Sequence, residues 1–283
     1  MSSTSKGLDR VLEEIERITD FDARLYRDST LRRRVGLRMQ ITRSKNYKEY
    51  LEYLKKDQSE FERFVEALTI NVSDFFRDRW VFRSLQEKIL PDLICSLREE
   101  NKKRIRIWSV GCSRGQEPYS LAILLHEILN NTINDYQIII QATDISREAL
   151  KRAVAGIYSN KEITEVPRRY LLKYFERHPG GYKARDDLRR LIRFRHHDLI
   201  KGPSLGKFHL ILCRNLFIFF QAKLQQRMFE KLHSSLKRNG ILVLGSVETP
   251  RDEILFSTLL SRDRIYQKRK KLDSFKQEHS VRS

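Results

Sequence analysis

Cysteine is scarce in this chain, with three in 283 residues, at Cys95, Cys112 and Cys213. An odd, widely spaced set excludes a disulfide framework and a Cys-x-x-Cys metal site, so all three are read as small buried apolar residues and no metal is expected. Long apolar runs are missing as well. No segment approaches the ~20 apolar residues of a membrane span, and the amino-terminal Met-Ser-Ser-Thr-Ser-Lys-Gly-Leu-Asp lacks the apolar stretch of a secretory leader. A cytoplasmic protein without membrane insertion is the expectation. Proline is absent before Pro91, and glycine occurs there only at Gly7 and Gly36. That absence argues against a turn-rich β domain in this part of the chain. No internal repeat is apparent.

Acid is short relative to base: 56 Lys and Arg against 37 Asp and Glu leave a net charge of +19. The imbalance points to an acidic partner, and nucleic acid, anionic lipid and an acidic protein surface all qualify. Between Leu31 and Lys48 stand Arg32, Arg33, Arg34, Arg38, Arg43, Lys45 and Lys48 with no acid among them. Such a run is either a docking surface or a solvated helix face.

What is present begins with helical periodicity. Leu8, Val11, Leu12 and Ile15, then Tyr50, Leu51 and Leu54, then Phe61, Phe64, Val65 and Leu68 repeat at the spacing of one helix face, so residues 7 to about 90 read as packed helices. A helix from about Ser84 to Glu100, broken near Pro91, leads onward. From Ile105 strands and helices alternate as a doubly wound parallel sheet requires. Strands are expected at Leu191–His196, Phe208–Cys213 and Ile241–Gly245, and helices at Ser146–Val154 and Gln221–Leu236, with Asn239-Gly240 as a C-cap and turn. Pro167 and His178-Pro-Gly-Gly181 interrupt the pattern and suggest a short insertion with a hairpin turn. The predicted partition is a helical domain and linker at 1–90, an α/β domain at 91–268 with its insertion at about 159–190, and a disordered basic tail at 269–283.

The chemistry concentrates in Arg104-Ile-Arg-Ile-Trp-Ser-Val-Gly-Cys-Ser-Arg-Gly-Gln-Glu-Pro-Tyr-Ser-Leu-Ala122. Ile105, Ile107 and Val110 make a strand, Gly111 and Gly115 let a ligand approach the backbone, and Pro118 suits the first turn of a helix whose free N–H groups face the turn. A second strand, Gln137-Ile-Ile-Ile-Gln-Ala-Thr-Asp144, ends in an acid suited to ribose hydroxyls. Dinucleotide sites space three glycines as G-x-G-x-x-G around a pyrophosphate. Here the spacing is G-x-x-x-G, which suits a smaller zwitterionic adenosine cofactor such as S-adenosylmethionine. Trp108, inside the strand, is read as core.

Four blocks in order, Leu68-Thr-Ile-Asn-Val-Ser-Asp-Phe-Phe-Arg-Asp78, Ile107 to Ser120, Ala142-Thr-Asp-Ile145 with Gly156-Ile-Tyr158, and Cys213-Arg-Asn-Leu-Phe-Ile-Phe-Phe220, resemble the CheR-type chemotaxis-receptor glutamate methyltransferases over most of residues 30 to 268. The resemblance implies a class I methyltransferase sheet (Rossmann-like, α/β) behind an amino-terminal all-α domain with a small inserted β-subdomain. It implies S-adenosylmethionine as methyl donor, S-adenosylhomocysteine as product and a chemoreceptor glutamate as acceptor. By position it assigns cofactor contacts to Asn71, Ser73, Arg77, Glu117, Asp144, Asp198, Leu199, Arg214 and Asn215, and Gly111 of the glycine turn joins them as a cofactor-binding residue. It assigns docking on the acidic receptor bundle to Arg32, Arg33, Arg34 and Arg38, with the enzyme acting as a monomer and no nucleic acid partner.

Several positions depart from the family's pattern. Ser73 replaces a threonine, Arg114 and Gln116 replace a small residue and a glutamate, Gly245-Ser-Val-Glu248 replaces glycine-histidine-serine-glutamate, and Phe219 replaces a tyrosine. The last substitution removes a hydroxyl beside the transferring methyl. The inserted segment, which in the family tethers a receptor tail, looks short here and argues against a tight tether.

Methylating a carboxylate calls for no general base, because glutamate is already ionised near neutral pH. Alignment and exclusion of water carry the reaction, with Arg77 and Arg214 as cations for the incoming carboxylate and Phe219 at the transferring methyl. Asp144 is assigned to the ribose, Glu117 to the cofactor's ammonium, Arg77 to its carboxylate or the substrate's, Asp198 to the adenine amino group and Leu199 to the ring face. Arg77 could instead pair with Asp74 or Asp78, and Asp198 could be an ordinary turn acid. His196 and His197 have no partners at metal-ligand spacing. The charge leaves a nucleic-acid methyltransferase as the alternative, although Cys213-Arg-Asn-Leu216 stands where base methylation brings an Asp/Asn-Pro-Pro-aromatic motif. A cofactor-binding regulator without turnover is the third reading.

Overall fold

The computed structural model describes residues 3–18, 22–68, 73–250 and 254–270. Four helices come first: α1 (Ser3–Ile18), α2 (Asp28–Ile41), α3 (Tyr47–Lys56) and α4 (Ser59–Leu68). Of the periodic residues read from the sequence, Leu8, Val11, Leu12 and Ile15 of α1 share one core with Tyr50, Leu54, Phe61 and Phe64, joined by Leu31 and Val35 and flanked by Leu51, while the side chains of Val65 and Leu68 lie outside what the structure describes. Asn46 caps α3 by accepting the Glu49 N–H at 3.0 Å. Inside this core the fully buried Glu60 is held by Arg38, through contacts of 2.8 and 2.5 Å, and by the Tyr50 hydroxyl at 2.9 Å.

A connecting helix follows as α5 (Arg79–Ser84), a wide π-turn at Leu85–Ile89, and α6 (Leu90–Glu99). The expected break near Pro91 is instead this wide turn. Proline lacks an N–H and its ring crowds the preceding carbonyls, and the strain is absorbed where the Leu90 N–H reaches back five residues to the Leu85 carbonyl.

The second domain holds seven strands in one sheet: β1 (Arg104–Val110), β2 (Gln137–Asp144), β6 (Ile192–His196), β7 (Phe208–Cys213), β8 (Leu236–Leu244), β9 (Phe256–Leu260) and β10 (Ile265–Lys268). Their order is β6-β2-β1-β7-β8-β10-β9, with β10 antiparallel to both neighbours and the first five strands parallel. Helices α7 (Gln116–Leu129), α8 (Arg147–Ala155), α9 (Arg168–Tyr174), α10 (Asp186–Arg189) and α11 (Ala222–Ser235) alternate with the strands. The order reverses between β1 and β7, and a doubly wound sheet opens its ligand crevice at the carboxyl ends beside such a switch.

One expectation in the sheet changes. Helix α11 stops at Ser235, and Asn239-Gly240 lies inside β8, where the register to β7 shifts and Asn239 takes φ +59°. A strand bulge therefore replaces the expected C-cap and turn. The insertion builds a three-stranded sheet ordered β3-β5-β4 from β3 (Ile157–Tyr158), β4 (Phe175–His178) and β5 (Gly181–Ala184). Its β4–β5 turn needs glycine at 181, where φ is +126° and a Cβ would stand 2.2 Å from the Tyr158 carbonyl oxygen. Cys112 and Cys213 are buried, but Cys95 is exposed, because it lies on the outer face of α6 beside Glu99. Among the described residues no helix is long and apolar enough to cross a membrane.

Candidate cofactor site and active centre

The turn after β1 runs through three residues at positive φ, Gly111 (+66°), Ser113 (+50°) and Gly115 (+91°). It is pinned to β2 by the Cys112 N–H, which donates to the Thr143 carbonyl at 2.9 Å. At Gly115 a Cβ would stand 3.0 Å from the Ala153 Cβ, so the glycine also lets α7 start close against α8. Asp144, 6% exposed at the end of β2, accepts the Ser113 N–H at 2.8 Å and the Ser146 N–H at 2.9 Å, one on each oxygen. Burial pushes its carboxyl up from the usual range, and the N–H groups of Ser146 and Ser113 pull it back. The Ile145 N–H also donates to this carboxylate, which faces the cavity and is placed to accept a ligand hydroxyl.

Across the crevice, the Arg214 side chain is buried between two acids. Its Nη1 lies 3.3 Å from Glu117 Oε2, and its Nη2 lies 2.5 Å from Asp78 Oδ2 and 2.8 Å from the Arg77 carbonyl. Ser109 Oγ donates to the other Glu117 oxygen at 2.7 Å. Glu117 and Arg214, read from the sequence as an ammonium ligand and a substrate cation, thus hold each other. Asp78, offered as a partner for Arg77, holds Arg214 as well.

Asp198 Oδ1 accepts the N–H groups of Ile200 (2.7 Å) and Lys201 (3.2 Å), the turn-acid geometry, while the residue also faces the cavity beside Leu199. Asn215 takes φ +59°. The loop that carries it is tied down by Glu248, whose Oε2 accepts the N–H groups of Asn215 (2.9 Å) and Gly245 (2.7 Å) and whose Oε1 accepts that of Phe217 (2.7 Å). Sequence reasoning saw Glu248 only as the end of a divergent motif; the acid kept at that end was the available signal. Burial raises its carboxyl, and these backbone donors oppose the rise.

These elements enclose a cavity of about 370 Å³ lined by Ser73, Arg77, Gly111, Glu117, Asp144, Asp198, Leu199, Arg214, Asn215 and Phe219. Tyr26 of the helical domain, which sequence reasoning did not select, lines it too. Asn71 lies outside the described residues, as do 271–283 of the basic tail. The volume suits a small ligand, for which pockets run ~300 to 1,000 Å³. Four carboxylates, those of Asp74, Glu117, Asp144 and Asp198, beside apolar Ile145, Leu199, Ile200 and Phe219 match an adenosine joined to a cationic amino-acid chain. His197 is buried edge-on to Trp108, itself fully buried, with ring centres 5.9 Å apart. Among the described residues no cluster of His, Cys, Asp or Glu is arranged to hold a metal.

The four arginines expected to dock on a partner separate. Arg32 and Arg33 are exposed on α2, Arg34 is half-buried, and Arg38 turns inward to Glu60.

Residues 71–264 match the CheR methyltransferase SAM-binding domain, and residues 6–69 match the CheR methyltransferase all-alpha domain. A chemotaxis protein methyltransferase from Listeria innocua is 33% identical over 234 residues, spanning 83% of this chain and 86% of that protein. Chemotaxis protein methyltransferase 1 from Pseudomonas aeruginosa is 36% identical over 193 residues, spanning 66% and 69%. A chemotaxis protein methyltransferase from Borreliella burgdorferi is 32% identical over 223 residues, spanning 77% and 79%.

Proposed function

The chain belongs to the CheR methyltransferase family, with S-adenosylmethionine as its cofactor and the class I methyltransferase fold, and from that premise we propose that it esterifies glutamate side chains of chemoreceptors. The observation that carries the reading is the cavity itself, where the acid-tipped β2, the glycine turn after β1 and the loop after β7 converge at the sheet's switch point. S-adenosylmethionine, when bound, supplies an electrophilic methyl group on a sulfonium.

The chain's own residues bind, orient and exclude water. Asp144 receives the ribose hydroxyls, Asp198 and Leu199 take the adenine, and Glu117 lends negative charge to the amino-acid end while anchored by Arg214. Arg77, half-buried at the cavity wall, holds the incoming carboxylate. Phe219, 8% exposed, presents an apolar edge where the family has a tyrosine hydroxyl, so transfer here rests on alignment and desolvation. No side chain is required to remove a proton.

Exposed Arg32 and Arg33 give the acceptor's acidic helices a place to land, an attraction that salt weakens over ~8 to 10 Å. The test is side by side: radiolabelled methyl donor is offered with receptor-containing membranes and with RNA. Label is expected on the receptor alone; label on RNA would replace this reading with that of a nucleic-acid enzyme.

A further inference from the structure

One wall of the cofactor cavity comes from the other domain. Just before α2 begins at Asp28, residues 25–27 lie along residues 219–221 as a short antiparallel ribbon. The Arg27 N–H donates to the Phe219 carbonyl at 3.0 Å, and the Gln221 N–H donates to the Leu25 carbonyl at 3.0 Å. Two side chains reinforce the ribbon: Gln221 Nε2 donates to the Tyr26 carbonyl at 3.0 Å, and Arg27 Nε to the Phe220 carbonyl at 3.3 Å.

Between these bonds the Tyr26 ring meets Phe220 edge-on, with centroids 5.7 Å apart, and packs against the core of the helical domain as well as that of the sheet's outer layer. It reaches the cavity where Asp198, Leu199, Ile200 and Phe219 line it. Burial first, and the Asp198 carboxylate second, push the Tyr26 phenol up, so the hydroxyl stays protonated as a donor.

We propose that Tyr26 is a cofactor-binding residue contributed by the helical domain, closing the adenosine end of the site and coupling cofactor binding to the seating of α2. This rests on the reading of the cavity as the S-adenosylmethionine site, with adenine beside Asp198 and Leu199. Tyr26 lies two residues before a helix whose exposed Arg32 and Arg33 are the proposed receptor contacts. A cofactor that packs on the Tyr26 ring therefore favours the ribbon that fixes where α2 starts, and by linkage a receptor bound to α2 favours the cofactor to the same degree.

The experiment uses the full chain, with S-adenosylhomocysteine and 5′-methylthioadenosine, which lacks the amino-acid end, titrated by calorimetry into wild type, Tyr26→Phe and Tyr26→Ala. Tyr26→Ala is expected to weaken both ligands by about tenfold or more, the loss of a large aromatic contact, and Tyr26→Phe by much less. Amide exchange on wild type gives a readout independent of the variants: S-adenosylhomocysteine is expected to slow exchange of the Tyr26 and Arg27 amides. Folded Tyr26→Ala with wild-type affinity for both ligands, or unchanged exchange on saturation, overturns the proposal. Failure of wild type to bind either ligand would instead overturn the cofactor site itself.

Discussion

Arg214 donates to the Glu117 carboxylate across 3.3 Å from a side chain only 3% exposed, so the arginine of the Cys213-Arg-Asn motif and the acid that opens α7 form one buried unit. Asp78, contacting the same guanidinium at 2.5 Å, joins the loop before α5 to that unit. The arginine thereby couples three separate chain segments around the cavity.

Replacing Arg214 with Met would leave both half-buried acids uncompensated. Removal of one member of such a group costs roughly 3 to 5 kcal/mol, and urea unfolding of Arg214→Met should show a loss of that order. S-adenosylhomocysteine affinity should fall with it. A loss below about 1 kcal/mol would mean the acids are solvated and that Arg214 does not organise the site.

Glu248 offers a separate test, because backbone N–H groups hold its carboxylate, those of Asn215, Phe217, Ile218 and Gly245. Leaving a buried donor unsatisfied costs about 1 to 3 kcal/mol. Glu248→Ala should therefore lower the melting temperature and weaken cofactor binding together, as the loop carrying Arg214, Asn215 and Phe219 loosens. Thermal melts and calorimetry on one preparation check this; unchanged affinity in a destabilised variant would separate the loop from the cofactor.

The basic run on α2 divides into two experiments. Arg32→Glu with Arg33→Glu should raise the apparent KM for receptor and leave melting and S-adenosylhomocysteine affinity unchanged, since both side chains are exposed. Arg38→Glu should unfold the helical domain by setting a second carboxylate against the buried Glu60. Receptor methylation kinetics and circular dichroism on both variants decide. A folded Arg38→Glu, or an unaltered receptor KM in the double variant, would contradict this division.

His209 sets a pH dependence. Burial, then Lys237 at 2.9 Å from its Nε2, pulls its pKa from 6.5 down to about 4, while its Nδ1 accepts the Arg106 N–H at 3.0 Å. Between those two values the unfolded chain holds a proton that the folded protein does not. Stability from this group is thus complete above pH 6.5 and declines as the pH falls toward 4, with a slope of at most roughly 1.4 kcal/mol per pH unit. His209→Gln should flatten that part of the stability profile measured by urea unfolding; an unchanged slope would contradict the assignment.

Much of this architecture is legible in the sequence because it rests on local pattern. The all-buried run of β7, the β-branched β1 and β2, and the glycine turn with Asp144 announce themselves through residue type and spacing. Asn239-Gly240 misleads, since a positive φ serves a bulge as well as a turn and only the pairing with β7 decides between them. Strands β9 and β10 escape because they are short and largely half-exposed, and strand pairing rather than local periodicity defines them. Arg38 reads as one of a basic run and Arg214 as a spare cation, because the acids that bind them lie 22, 97 and 136 residues away in the chain. Charge pairing at such separations leaves no mark on the sequence between.

The bond proposed to form is an ester on a receptor glutamate. Receptor-containing membranes labelled by this protein with S-[methyl-³H]adenosylmethionine should, on mild base treatment, release the label as volatile methanol, as carboxyl methyl esters do and as N-methyl groups do not. Release of essentially all transferred label is the predicted result. Label that stays on the receptor through base, or that never reaches the receptor while S-adenosylhomocysteine binds normally, would contradict it.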